Sequence, residues 1–319
     1  MLRFSHRGNP DLVFGNIARC RDDFLAGRKS NYNPLKIILG GGTGGAAGCG
    51  LSGPYVGNGL MKGTKVAFGN SVGSVNVTYA ADCDQALETE PDRMKHIMSI
   101  FYEECTDRSL VSYLRWFWGG NGLDIDSLCK VFREGPKRIN QERVRSCPTE
   151  IVTAVSGFET ARTRLLRLKT FNDIVDGIRA AIHIPGFCPG SVNLNGEEVV
   201  EAGGCEVMPI RQLVGQYGPF TDIVAILNRP EDYRSSWRRR QIEKRYATRG
   251  LPGMLRDAIL RREEVFARRM HFLVNKCCAN VLLIYNEDID FVEQDPAILR
   301  DAVESGEAYM EMLLQRAGV

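Results

Sequence analysis

The sequence predicts an α/β domain in three layers, with helices on both faces of a mostly parallel central sheet. Three observations carry this expectation. Two short apolar runs, LKIIL (35–39) and KVAF (65–68), end at glycine, which is how buried parallel strands read. Three more apolar runs follow, EIVTAV (150–155), DIVAIL (222–227) and NVLLIY (280–285). Helical patterns separate these runs, and strands that alternate with helices imply a parallel sheet covered on both sides.

Residues 1–34 are polar and irregular and read as an N-terminal extension with one short helix around 11–26. Residues 35–319 read as a single domain that includes a basic segment (234–249) and a C-terminal helix. The stretch SVGSVNVTYAADC (71–83) follows KVAF directly and has the pattern of a helix. Around 253–276, Leu255, Ile259, Phe266 and Met270 form one apolar stripe with arginines and glutamates opposite. The last helix is expected to open with Asp295 as N-cap and Pro296 at its first position. Its stripe of Leu299, Val303, Gly306, Met310 and Leu313 is expected to pack on the domain.

The formal net charge of +2 over 319 residues points to neither nucleic acid nor an acidic substrate. The opening residues lack the apolar run of a secretory signal, and no stretch of about 18 uncharged apolar residues occurs. The ten cysteines are scattered, without a CxxC pair or zinc-ligand spacing, which suits a reducing compartment. A cytoplasmic protein with no metal and no cofactor is the expectation. The segment 234–249 carries seven Arg/Lys residues with Trp237 and Tyr246 between them. It reads either as a solvated helix face or as a peripheral contact with anionic lipid headgroups.

Gly69-Asn70-Ser71-Val72-Gly73 is a G-x-S-x-G match between a predicted strand and a predicted helix. A sharp strand-to-helix turn needs glycine on both sides, and it leaves the serine hydroxyl near a helix N-terminus. The simpler reading is a glycine-rich turn whose serine caps the helix. Thirty residues earlier, ILGGGTGG places successive glycines after a strand, so that backbone N–H groups can line a cavity. The same run fits the dinucleotide pattern G-x-G-x-x-G, which wants an acid about 20 residues on. No Asp or Glu stands between Asp23 and Asp82, so that pattern is incomplete.

Taken with DGIRAAIHIPGF (176–187) and the stretch ending at Pro209, these motifs resemble the patatin-like phospholipase family. Ser74 and Asn76 extend the serine motif as that family does, and Arg179-Ala180 and Ile184-Pro185 match its third element. The resemblance spans roughly residues 35–315 and rests on the order of four motifs. It implies a patatin-like α/β/α fold and a serine–acid dyad without histidine. Ser71 would be the nucleophile; counting back eight residues from Pro209, Glu201 stands where the family has its catalytic aspartate, while an alternative register places Ala202 there and leaves no acid. Gly41, Gly42 and Thr43 would supply the oxyanion hole. Two further positions differ from the family: Gly44 replaces a basic residue, and Val72 replaces a small one.

The implied activity is hydrolysis of a lipid acyl ester. The alternative is a catalytically degenerate relative that binds lipid or a protein. Glu201 also reads as a solvated hairpin carboxylate beside Glu197, Glu198 and Glu206. His183 reads as a core histidine, with a catalytic or pocket-lining role as the other possibilities.

Overall fold

The computed structural model describes residues 3–42, 45–107, 110–112, 115–116, 118, 120–228, 250–286 and 293–319. The strands are β1 (Phe4–Arg7), β2 (Pro34–Ile38), β3 (Val66–Gly69), β4 (Glu150–Gly157), β5 (Thr163–Arg167), β6 (Val192–Leu194), β7 (Glu197–Glu201), β8 (Asp222–Leu227) and β9 (Asn280–Asn286). The longer helices are α1 (Pro10–Leu25), α2 (Gly45–Gly57), α3 (Val72–Asp84), α4 (Ile125–Arg133), α5 (Ile174–Ala181), α6 (Ile210–Tyr217), α7 (Gly253–Asn275) and α8 (Pro296–Arg316).

All five apolar runs form strands, and they assemble side by side as β9-β8-β2-β3-β4, every pair parallel. The expected mostly parallel sheet is parallel only in this heart and is mixed as a whole. β1 joins one edge antiparallel through β9, while β5 and the β6–β7 hairpin join antiparallel through β4. These strands are short and partly exposed, so they lack the continuous apolar run by which the central strands are recognised.

Alternation along the central strands divides the core in two. Leu35, Ile37 and Leu39 of the β2 segment share one cluster with Phe266, Met270 and Leu273 of α7 and Ile210 and Leu213 of α6. Ile38 faces the other cluster, built from α1 through α5 and α8. The three-layer α/β/α arrangement follows from this period of two. The stripes foreseen on α7 and α8 are buried. Asp295 accepts a hydrogen bond from the Ala297 N–H at 2.8 Å, as an N-cap does.

The first 34 residues are not an extension. β1 pairs residue for residue with β9, from Phe4↔Asn286 to Arg7↔Leu283, and α1 buries Val13, Phe14 and Ile17 in the main core. Their polar composition reflects a strand at the sheet edge and a helix with one solvated face. The glycine-rich stretch after the loop is also more than a loop. Almost all of α2 is buried, and its glycines let it lie against α8, where a Cβ on Gly50 would stand 2.1 Å from the Val303 carbonyl oxygen.

Lys36 projects from β2 into this helical layer and is fully buried. Its ammonium lies 3.9 Å from the centroid of Tyr55 and 3.3 Å from the Ser52 hydroxyl, and among the described residues no carboxylate forms an ion pair with it. Burial pushes its pKa down to about 7, slightly offset by the Cys49 thiol. Between pH 7 and 10 the unfolded chain therefore holds a proton that the folded chain lacks. Stability contributed by this site rises with pH across that window, by roughly 1.4 kcal/mol per unit. Lys36→Met should be more stable than the parent at pH 7, and urea midpoints of the two proteins should converge as pH rises to 9. Parallel midpoint curves would contradict a depressed Lys36.

Candidate active site

The site forms where two strands run toward each other along one edge of β4. β5 occupies the other edge, pairing with Val152 through Ser156. Along the remaining edge β3 pairs with the start of β4, ending at Phe68↔Val152, and β7 pairs with its end, finishing at Val155↔Glu201. β3 runs up this edge and β7 runs down it. Their last ladder pairs fall at Val152 and Val155, three steps apart on β4, about 10 Å along the strand. Asn70 and Ser71 leave one tip and Glu201 leaves the other, so serine and carboxylate approach a common gap.

The turn at Ser71 is sharp. Its φ and ψ are 55° and −131°, a left-handed conformation that costs a non-glycine residue on the order of 1–3 kcal/mol. Contacts on every side hold it there. The Ser74 hydroxyl donates to the Ser71 carbonyl at 2.6 Å, and the Asn70 N–H donates to the Ile38 carbonyl at 3.1 Å. A Cβ at Gly69 would lie 2.1 Å from the Gly73 carbonyl oxygen, and one at Gly73 would lie 2.1 Å from that of Ile38. Val72, bulkier than the residue the resemblance leads one to expect, fits because position 45 is glycine: a Cβ there would meet Val72 Cγ1 at 2.4 Å. Asn76 completes the lock by donating to the Gly45 carbonyl at 3.0 Å.

The Ser71 side chain makes no capping bond to α3, so the capping explanation of this serine fails. The residue is 5% exposed. It opens instead on a cavity of about 790 Å³, its open mouth included. Val75, Phe101, Leu128, Phe132, Ile184 and Phe187 form much of the wall. Only Ser71, Cys105 and Gln294 among the lining residues carry a side-chain heteroatom. Burial pushes the Cys105 thiol up to about 12, which disfavours its thiolate.

The glycine loop lies behind the serine. A Cβ on Gly40 would stand 2.4 Å from the Ser71 Cβ and 3.2 Å from its Oγ. Gly42, at φ +55°, shares the cavity wall with Ser71, whereas Gly41 is packed against Asn228 at the end of β8. Thr43 and Gly44 lie outside the described residues.

Glu201 is 7% exposed and is not a solvated hairpin carboxylate, unlike Glu197 and Glu198 on the outer part of the hairpin. Its Oε1 lies 2.5 Å, and the Asn70 amide nitrogen 2.9 Å, from the point a Gly203 Cβ would occupy. The carboxylate therefore stands beside the residue that precedes Ser71. His183 runs alongside, its carbonyl accepting the Glu201 N–H at 2.9 Å. Its ring is buried, its Nε2 has no hydrogen-bond partner among the described residues, and burial holds its pKa below the ordinary value. It behaves as a core histidine. Of the other motif residues, Arg179 pairs with Asp126 at 2.7 Å and Ile184 lines the cavity.

Among solved structures the chain is similar to the crystal structure of VipD from Legionella pneumophila, with a TM-score of 0.45 and 12% identity over 90% of this chain and 68% of that one. No family model and no curated protein matches the sequence. Likeness at this level leaves the chemistry to be read from the chain's own residues. Among the described residues no group of His, Cys, Asp and Glu is arranged to hold a metal, and no helix is long and apolar enough to cross a membrane. The basic segment 234–249 lies outside the described residues.

Two measurements test this geometry. Ser71→Gly should raise the unfolding midpoint above that of Ser71→Ala by the equivalent of about 1 kcal/mol, since only glycine relieves the left-handed backbone. Equal midpoints would mean that the elbow is unstrained. Gly40→Ala should lower the unfolding midpoint, because its Cβ would stand 2.4 Å from the Ser71 Cβ and 2.8 Å from the Asn70 carbonyl oxygen, and an unchanged midpoint would mean that the loop and the elbow are not in contact.

Proposed function

We propose that this protein is a patatin-like lipid acyl hydrolase working through a Ser71–Glu201 dyad. The observation that carries the reading is the strained Ser71, held against a glycine loop and opening on an apolar cavity. Strain of this kind persists where the surrounding packing enforces it. An apolar cavity with one hydroxyl on its wall suits a substrate that is mostly hydrocarbon with one reactive ester.

In this mechanism the acyl chain lies along the cavity wall, with its ester carbonyl at Ser71. Glu201 takes the hydroxyl proton as Ser71 Oγ attacks the carbonyl carbon. The oxyanion that forms is met by backbone N–H groups of the glycine loop, assigned to Gly41, Gly42 and Thr43, and by the N-terminus of α3. Collapse of the tetrahedral species expels the alcohol, which takes up the proton, and leaves an acyl-serine. Glu201 then activates water to release the fatty acid. No carboxylate interrupts the sequence from residue 24 to residue 81, so the glycine loop and the elbow bring no local negative charge to the oxyanion. The basic segment 234–249 would draw such an enzyme to anionic headgroups.

The test is labelling with a fluorophosphonate followed by peptide mapping. Ser71 should be the one serine modified, and turnover of a short-chain ester should disappear with it. Glu201→Gln should cut labelling and turnover by about 10²-fold or more with the fold intact, while Glu201→Asp should retain activity. A Gln variant as active as the parent would remove Glu201 from the mechanism. No labelling of folded parent protein would remove the hydrolase reading.

A further inference from the structure

β2 lies between β8 and β3, and its last ladder pair with β8 is Ile38↔Ile226. One residue on, the Leu39 N–H still reaches β8, donating to the Ile226 carbonyl at 3.0 Å. In a strand the N–H and C=O of one residue point to the same side, so the Leu39 carbonyl also faces β8. There the backbone ladder has ended, and a side chain takes over: Asn228 donates its Nδ2 to the Leu39 oxygen at 2.6 Å, wholly buried. The N–H of that same peptide, on Gly40, must face the opposite way, toward the lane of β3 that carries Asn70 and Ser71.

Asn228 is wedged against the loop it bonds. Its Cβ lies 3.0 Å from the point a Gly41 Cβ would occupy, and its Oδ1 lies 3.0 Å from that of Gly48. Oδ1 has no hydrogen-bond partner among the described residues. A leucine would fill this space without burying an unpartnered oxygen, so the reason for an amide here lies in its other half, the donor to Leu39. The donor answers a specific hazard. A peptide unit followed by glycine flips at little steric cost, because glycine accepts both signs of φ. A flip at Leu39–Gly40 would turn a carbonyl oxygen toward Ser71, where negative charge develops, and would carry the N–H away from it.

We propose that Asn228 is a positioning residue for the reaction: it locks the Leu39–Gly40 peptide so that the glycine loop keeps donors, not an acceptor, turned toward Ser71. This rests on the hydrolase reading above and adds a residue outside its dyad and oxyanion loop.

Three proteins decide the matter: the parent, Asn228→Leu and Asn228→Asp. Both variants lack the donor at neutral pH and should fold. Each should label with fluorophosphonate about 10- to 100-fold more slowly than the parent at pH 7.5, with KM for a short-chain ester little changed. Asn228→Asp regains a donor when its carboxyl is protonated, so its rate relative to Asn228→Leu should climb as pH falls toward 5. Amide hydrogen exchange in the peptide covering Leu39 to Gly42 should quicken in both variants. Parental labelling in Asn228→Leu, a pH-independent ratio between the variants, or unchanged exchange at the loop would each overturn the proposal. Failure of the parent to label would strike the hydrolase reading instead, and loop exchange would still decide whether Asn228 holds the peptide.

Discussion

Most of the architecture follows from how one edge of β4 is shared. A strand has two edges, and β5 occupies one of them from Val152 to Ser156. The other must serve both β3 and β7, which it can do only because each is short and they run in opposite directions. Two strand tips then face each other across a gap that no third strand can enter. Whatever residues stand at those tips are forced together and removed from water. Asn70 and Ser71 are at one tip and Glu201 at the other, so Asn70 and Glu201, 131 positions apart, become neighbours.

The surroundings of that gap are built from absent side chains. Gly40 leaves room for the Ser71 side chain, Gly69 and Gly73 allow the elbow backbone to touch itself and Ile38, and Gly45 accommodates Val72. Each contact is too close for a Cβ, so the elbow cannot relax by moving outward; backbone atoms meet it on those sides. That rigidity is what sustains the unfavourable backbone of Ser71. Ser74 and Asn76 fix the two remaining loose ends, one on the serine carbonyl and one on the first residue of α2. The extended serine motif is thus a set of fasteners, and the Ser71 side chain makes no capping bond within it.

α2 shows the opposite side of the same composition. Its glycines bring it close enough to α8 that backbone meets backbone, and nearly all of it is buried. A helix so enclosed has no polar face to offer Lys36, which projects toward it from β2. Lys36 is met by an aromatic ring and one hydroxyl, and burial alone accounts for most of its depressed basicity.

The sequence by itself determined the layers, the five parallel strands, the elbow between β3 and α3, and the stripes of α7 and α8. These depend on period and on local steric demands, both of which neighbouring residues express. β1, β5, β6 and β7 were not legible as strands from apolar runs, because an edge strand with one solvated face carries half the signal. The Asn195-Gly196 turn, with both residues at positive φ, is the local signal that would have marked the β6–β7 hairpin. Motif order pointed to Ser71 and Glu201, but only the tertiary structure decided that Glu201 is buried beside Asn70 and not solvated with Glu197 and Glu198. Nor does any local pattern mark Asn228 or the wall formed by Phe101, Phe132 and Phe187. A residue's distance from the elbow is set by packing between elements far apart in the chain, and packing leaves no period to read.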